Sequence, residues 1–326
     1  MAMKRFSNLV VCYLVLLVAS SCQKGGTPAE QLAAESLAAG LSDALLLSYS
    51  SSNWMGALPD QSMLHHLSIP GTHDSGARHE PFPGTAKTQN LSIGDQLNAG
   101  VRFLDIRCRH FNDAFTIHHG AVYQHLNFDD VINACKSFLA AHPSETIVMS
   151  VKPEHTAENN TTTFEERFLA YVAQDPALWY LEDEIPSLGD SRGKIVLFRR
   201  FGYSGALGIA ATPGWADNAT FTINRPGYQL EIQDEYQTTP QNKWSRVSQF
   251  LETTKSTGYP ANKVLYVNFS SGYRSILGIP NITSVSNYVN PRLNDYLNAQ
   301  STAKFGIIVA DFINEDLSKA IYETNF

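Results

Sequence analysis

Eight short runs of apolar and β-branched residues recur along this chain, and several of them end on a polar or charged side chain. They read LHHLSIPG, VRFLDIRCR, FTIHHG, ETIVMSVKPE, GKIVLFRRF, YQLEIQDEY, KVLYVNFSS and FGIIVADFIN. Between the third and fourth, NFDDVINACKSFLAAH sets Val131, Ile132, Cys135, Phe138 and Leu139 at helical spacing, with acids at its start. Alternating β and α patterns of this kind predict an α/β domain. The polar ends fall at His73 and Asp74, Asp105 and Arg107, His119, Lys152, Arg200, Asp234 and Asp311. In a (β/α)₈ barrel the strand C-termini converge on one face, where the active site lies. The expected fold is a single distorted (β/α)₈ TIM barrel, distorted because several connections lack regular helical spacing.

With 326 residues, 43% hydrophobic and 17% charged, the chain is long enough to bury a substantial core. Its formal charge of −7 and the lack of a basic stripe argue against a nucleic-acid partner, though not against an anionic substrate. The first 22 residues read as an export signal: Lys4 and Arg5 precede about a dozen apolar residues, too few to span a bilayer. Ala19, Ser20 and Ser21 then lead to Cys22 in the manner of a lipobox. The expectation is an exported protein, lipid-anchored to the bacterial cell envelope through Cys22, with ordinary cleavage and secretion as the alternative. Residues 23–52 read as an Ala- and Ser-rich tether, and 53–326 as the catalytic domain. Cys108 and Cys135 lack metal-ligand spacing and fit either a disulfide or two buried thiols.

Ser68–Gly76, SIPGTHDSG, seats a histidine and an aspartate between Pro-Gly and Ser-Gly, in a rigid turn. Two imidazoles on one rim suit a reaction that needs a base and an acid near neutral pH. Carboxylates beside histidines orient the rings, and an arginine fork matches phosphate oxygens. Such a set suits phosphoryl transfer in which Arg107 supplies the charge a divalent ion otherwise provides. His118 and His119 together suggest metal ligands, but neighbours on a strand point to opposite faces, so only one looks into a shared site. A metal-dependent phosphodiesterase, or a non-catalytic binding protein at a surface, are the alternatives.

SIPGTHDSG, GVRFLDIRCR, IHHGAVY, HPSETIVMSVK, RGKIVLFRR, IQDEY and ADFINE, in this order from about Trp54 to Ile313, resemble bacterial phosphatidylinositol-specific phospholipase C. The resemblance implies a distorted TIM barrel, a monomer, no cofactor, and metal-independent cleavage of phosphatidylinositol or of glycosyl-phosphatidylinositol (GPI) anchors to a cyclic inositol phosphate. It implies His73 as general base, His119 as general acid and Arg107 as the stabiliser of phosphate charge. Asp74 would pair with His119, and Asp311 would orient His73. Lys152, Arg200 and Asp234 would bind inositol hydroxyls, and Tyr236 would pack on the ring. The resemblance also implies a membrane surface as partner. The tryptophans that serve secreted members at that surface are missing from EPFPGTAKTQ and SGYRSILGIPNITSVSNY, where Ile276, Leu277 and Ile279 are left either as an apolar lip or as residues tucked into their own loop.

Overall fold

The computed structural model describes residues 49–257 and 263–326. The expected leader, Cys22 and the tether as far as residue 48 lie outside them. A compact unit spans Ser51–Phe326. Its strands are β1 (Ser68–Thr72), β2 (Phe103–Phe111), β3 (Ala114–His119), β4 (Val122–Asn127), β5 (Ile147–Pro153), β6 (Trp179–Tyr180) and β7 (Ile195–Arg199), followed by β8 (Ile209–Ala210), β9 (Thr220–Arg225), β10 (Tyr228–Gln233), β11 (Val264–Phe269), β12 (Arg274–Ile276), β13 (Ile279–Asn281) and β14 (Gly306–Ala310). Helices α1 (Ile93–Asn98), α2 (Phe128–Ala141), α3 (Phe164–Val172), α4 (Leu188–Ser191), α5 (Pro240–Thr257), α6 (Thr283–Asn298) and α7 (Glu315–Glu323) alternate with them.

The main sheet runs β6-β7-β5-β2-β1-β14-β11-β10-β9 and is parallel from β6 to β10. Strands β1, β5, β7, β11 and β14 are buried along nearly their whole length, as parallel strands covered on both faces require. This curled sheet is the distorted TIM barrel, and all eight runs lie in it.

The barrel does not close by a backbone ladder. Among the described residues, β8 pairs only with β7, and β9 caps the far edge as an antiparallel partner of β10. Side chains bridge the seam: the Ala210 N–H donates to the Tyr228 hydroxyl (2.7 Å), and Arg225 Nε donates to the Ala210 carbonyl (2.8 Å). Side-chain bonds satisfy backbone groups that a strand neighbour would otherwise take.

One run behaves differently from the expectation. FTIHHG forms β3, which turns back antiparallel to β2 rather than joining the parallel set. The cause is the tight turn at Asn112 and Asp113, both with positive φ (51° and 54°), which favours a two-residue hairpin. Because Cys108 pairs with Ile117, the hairpin brings His119 back to the level of Ile106 and Arg107.

Helix α2 packs Phe128, Val131, Cys135, Phe138 and Leu139 into the core, and a capping box of Asn127 and Asp130 fixes its start. Cys108 and Cys135 are both buried free thiols, which decides between the two readings.

Candidate active site

A cleft of about 500 Å³ opens at the C-terminal ends of the parallel strands. It is lined by His73, Arg107, His119, Lys152, Arg200, Asp234, Tyr236 and Asp311, eight of the nine residues singled out from the sequence. The ninth, Asp74, lies fully buried beneath them.

His73 and Asp311 are the first residues beyond β1 and β14, which run side by side with Thr72 opposite Ala310. His73 Nδ1 donates to Asp311 Oδ1 at 2.7 Å, and Asp311 Oδ2 accepts the Gly272 N–H at 3.2 Å. At the other ring nitrogen, Arg107 Nη2 lies 2.6 Å from His73 Nε2. A guanidinium only donates, so Nε2 is the acceptor and carries the lone pair. The imidazole is thereby set in the tautomer a base requires, with Nε2 on the cleft side, where it meets Arg107.

Arg107 is tied down by Asp105, a buried carboxylate that receives bonds on every side. Its Oδ2 accepts Arg107 Nε (3.1 Å) and the Asp74 N–H (3.2 Å), and its Oδ1 accepts Ser150 Oγ (3.1 Å) and Arg200 Nη1 (3.4 Å). Burial alone would raise its pKa, but Arg107 and Arg200 outweigh it and hold the group well below the usual carboxylate range. Asp105 is therefore an anion that aims two guanidiniums into one cleft.

His119 faces His73 edge to face, with ring centroids 6.3 Å apart. Its Nδ1 donates to the Ala86 carbonyl at 2.5 Å, leaving Nε2 for the cleft. The expected pairing with Asp74 takes a looser form. Asp74 Oδ2 stands 3.6 Å from His119 Nδ1 and 3.8 Å from Arg107 Nη1, and neither of its oxygens has a hydrogen-bond partner. Burial pushes the Asp74 pKa up, against the pull of His119 and Arg107. Its φ of +40° shows that the turn holds this residue in the left-handed region, which a non-glycine residue rarely adopts.

The opposite wall gathers charged and hydrogen-bonding side chains. Lys152 donates to Glu154 Oε2 (2.8 Å), while Glu154 Oε1 accepts the Gly120 N–H (3.0 Å). Although burial opposes it, the charges of Arg107 and Lys152 hold Glu154 down to about 2. The Arg200 guanidinium lies 3.5 Å from the centroid of Trp215, whose Nε1 donates to Asp234 Oδ2 at 3.3 Å. Tyr236 donates to Asp217 Oδ1 (2.7 Å), a bond that, with burial, raises the phenol to about 12. His118 is buried against Tyr123 and His155 and does not line the cleft, as strand alternation requires. Among the described residues, no three His, Cys, Asp or Glu side chains are grouped to hold a metal ion.

Residues 63–201 match the family model for the phosphatidylinositol-specific phospholipase C X domain. The chain is 35% identical over 300 residues to the 1-phosphatidylinositol phosphodiesterase of Staphylococcus aureus, covering 86% of this chain and 96% of that relative. It belongs to the phosphatidylinositol-specific phospholipase C family. The Listeria monocytogenes 1-phosphatidylinositol phosphodiesterase is 29% identical over 295 residues, spanning 85% of this chain and 86% of the relative. A solved phosphatidylinositol-specific phospholipase C from Staphylococcus aureus superposes with a TM-score of 0.78 at 34% identity, covering 85% of this chain and 97% of that one. The enzyme of that family from Listeria monocytogenes gives 0.70 at 25% identity, covering 85% and 100%.

Several residues of this phospholipase C-family cleft carried no assigned role from sequence. Asp105 stood only as a strand end, yet it organises both arginines. Glu154 follows Lys152 by two positions, a spacing that places both on one side of a strand and was available as a signal. Trp215 and Asp217 come from the loop between β8 and β9, well before Asp234 in the chain, and no local pattern announces them.

Proposed function

We propose that this protein is a phosphatidylinositol-specific phospholipase C that works by metal-independent intramolecular phosphoryl transfer. The observation that carries the reading is His73 held between Asp311 and Arg107, with His119 facing it across the cleft. His73 Nε2 takes the proton of the inositol 2-hydroxyl, and that oxygen attacks the neighbouring phosphorus. The bond from phosphorus to the diacylglycerol oxygen breaks, and His119 Nε2 protonates the departing oxygen. The products are a cyclic inositol 1,2-phosphate and diacylglycerol. Arg107 offsets the charge gathering on the non-bridging oxygens. Nucleophile and phosphorus belong to one molecule, so only their alignment is left for the protein to supply. Asp234, Arg200 and Lys152 hold ring hydroxyls, with Tyr236 against the ring face.

The substrate class is the phosphatidylinositol head group, either as the free lipid or within GPI-type anchors. An exposed apolar surface supports this reading. Phe82 (71% exposed) and Leu277 (99% exposed) stand out with Ile276 and Ile279, on a loop and a β12–β13 hairpin tied together by the Ile282 N–H to Gly84 carbonyl bond. Leu277 and Gly278 both have positive φ, so the hairpin tip projects the leucine outward. Burying one such side chain is worth about 1.5–3 kcal/mol. The protein acts as a monomer, exported and tethered to the envelope through Cys22. Loss of membrane-fraction protein on Cys22→Ala tests the tether.

Phosphorus NMR of products from phosphatidylinositol micelles in EDTA tests the chemistry. A five-membered cyclic phosphate signal is expected. No turnover in EDTA, with recovery on adding a divalent cation, overturns the mechanism.

A further inference from the structure

The loop between β1 and α1 contributes no cleft-lining side chain of its own beyond His73, yet its segment Ala86–Gln89 bonds to His73, Asp74 and His119 and to the residues on either side of Asp311. The Ala86 carbonyl receives His119 Nδ1. Thr88 Oγ1 donates to the Asp74 carbonyl (2.9 Å), and the Thr88 carbonyl accepts the Phe312 N–H (2.6 Å). Gln89 goes further. Its Nε2 donates to the carbonyls of His73 and Ala310, both at 2.9 Å, and its Oε1 accepts the Ile313 N–H at 3.3 Å.

These bonds stand where the β1–β14 ladder has ended. The register runs out at Thr72 opposite Ala310, with a last rung from the His73 N–H to the Ala310 carbonyl. One residue further on, the chains carry the base and its carboxylate. The Gln89 carboxamide spans them as a substitute rung, and Gln89 and Thr88 are fully buried. Only a primary amide offers two donors on one atom and an acceptor beside it. A carboxylate there would face two carbonyl oxygens, and an apolar side chain would take from the His73 carbonyl its Gln89 donor and leave the Ala310 carbonyl with the His73 N–H alone. Glu80 anchors the segment in turn, its Oε2 accepting the N–H groups of Thr85 (3.0 Å), Ala86 (3.4 Å) and Lys87 (3.1 Å).

We propose that Gln89 is a positioning residue for the acid–base pair, setting His73 against Asp311 while the segment it ends, Ala86–Gln89, sets His119. The proposal rests on the catalytic roles given above to the two histidines. It does not concern substrate recognition, so its effect falls on turnover rather than on apparent affinity.

The test compares the full chain with Gln89→Met, Gln89→Glu and Glu80→Gln on phosphatidylinositol micelles. It also follows the far-downfield proton resonance of the His73–Asp311 hydrogen bond, identified by its loss in Asp311→Asn. In folded protein, kcat is expected to fall roughly 10-fold in Gln89→Met and roughly 100-fold in Gln89→Glu, with KM within about 3-fold, because small displacements of reacting groups cost rate steeply. The downfield resonance shifts or broadens in both. An unchanged kcat and resonance in folded Gln89→Met overturn the proposal, as does a loss confined to KM or to thermal stability. Should both Gln89 variants fail to fold, Glu80→Gln decides: a kcat loss of about 3-fold at constant KM supports the proposal, and wild-type kcat refutes it. A wild-type protein that does not turn over phosphatidylinositol overturns the function instead, and the resonance in Gln89→Met then decides the positioning claim alone.

Discussion

Strand β1 has histidines at both of its ends, and the two ends have opposite chemistry. At the base, His65 and His66 lie with ring centroids 4.0 Å apart, and buried His65 Nδ1 has no hydrogen-bond partner. Burial, then His66 and Lys263, lower the His65 pKa to about 4. At the mouth, His73 has a carboxylate on one nitrogen and a guanidinium and open cleft on the other. Burial without a counter-charge keeps an imidazole neutral and idle. A fixed anion behind the ring, with the cleft and Arg107 in front, suits it to the proposed role of base. Five intervening residues of strand separate the two conditions.

The sharpest way to break this comparison is to delete the histidines at each end. His73→Ala is expected to lower kcat by about 10²–10⁴-fold on phosphatidylinositol, whereas His65→Gln stays within about 2-fold. Similar losses at both ends would remove the distinction. His119→Ala should lose a comparable factor on the lipid, but a substrate with an activated phenolic leaving group should restore most of its rate, since such a group departs without a proton. The same substrate should leave His73→Ala slow, and equal rescue of both would erase the separate acid and base roles. Asp311→Asn keeps the shape behind His73 and removes the charge, so kcat should drop about 10²-fold with little change in KM.

The smallest expected effect belongs to the base of the barrel. His65 has a folded-state pKa of about 4 against 6.5 for an unperturbed imidazole, so the unfolded chain takes up its proton first. Its contribution to stability is complete above pH 6.5, is lost as pH falls towards 4, and is flat below that. The drop in Tm across this window should be smaller in His65→Gln than in the parent, measured by calorimetry. An equal drop would show that His65 does not titrate differently in the folded state.

Much of this was legible because buried parallel strands write themselves as apolar runs with polar ends. Eight runs became strands, and eight of the nine chosen residues reached one cleft. The strand-end rule puts His119 at the cleft, where it lies, but by a route the structure does not use. The residue arrives on an antiparallel hairpin, and the Asn112–Asp113 turn that sends it back was the signal to weigh. The remaining gaps concern groups that side-chain patterns do not encode. The Ala86 carbonyl is main chain, and a backbone acceptor can belong to any residue. Trp215 reaches Arg200 and Asp234 only because the β9–β10 hairpin folds its loop back over the cleft. The fate of Ile276, Leu277 and Ile279 turned on two backbone angles at Leu277 and Gly278, which composition leaves open.

The seam between β8 and β10 has a practical corollary. The loop from Ala211 to Ala219, which carries Trp215 and Asp217, starts beside a gap crossed by side chains instead of ladder rungs and ends where the Ala219 carbonyl accepts the Asp234 N–H. Segments can therefore be exchanged there without breaking strand pairing elsewhere, which makes this the natural graft point for retargeting the scaffold to a different polar head group.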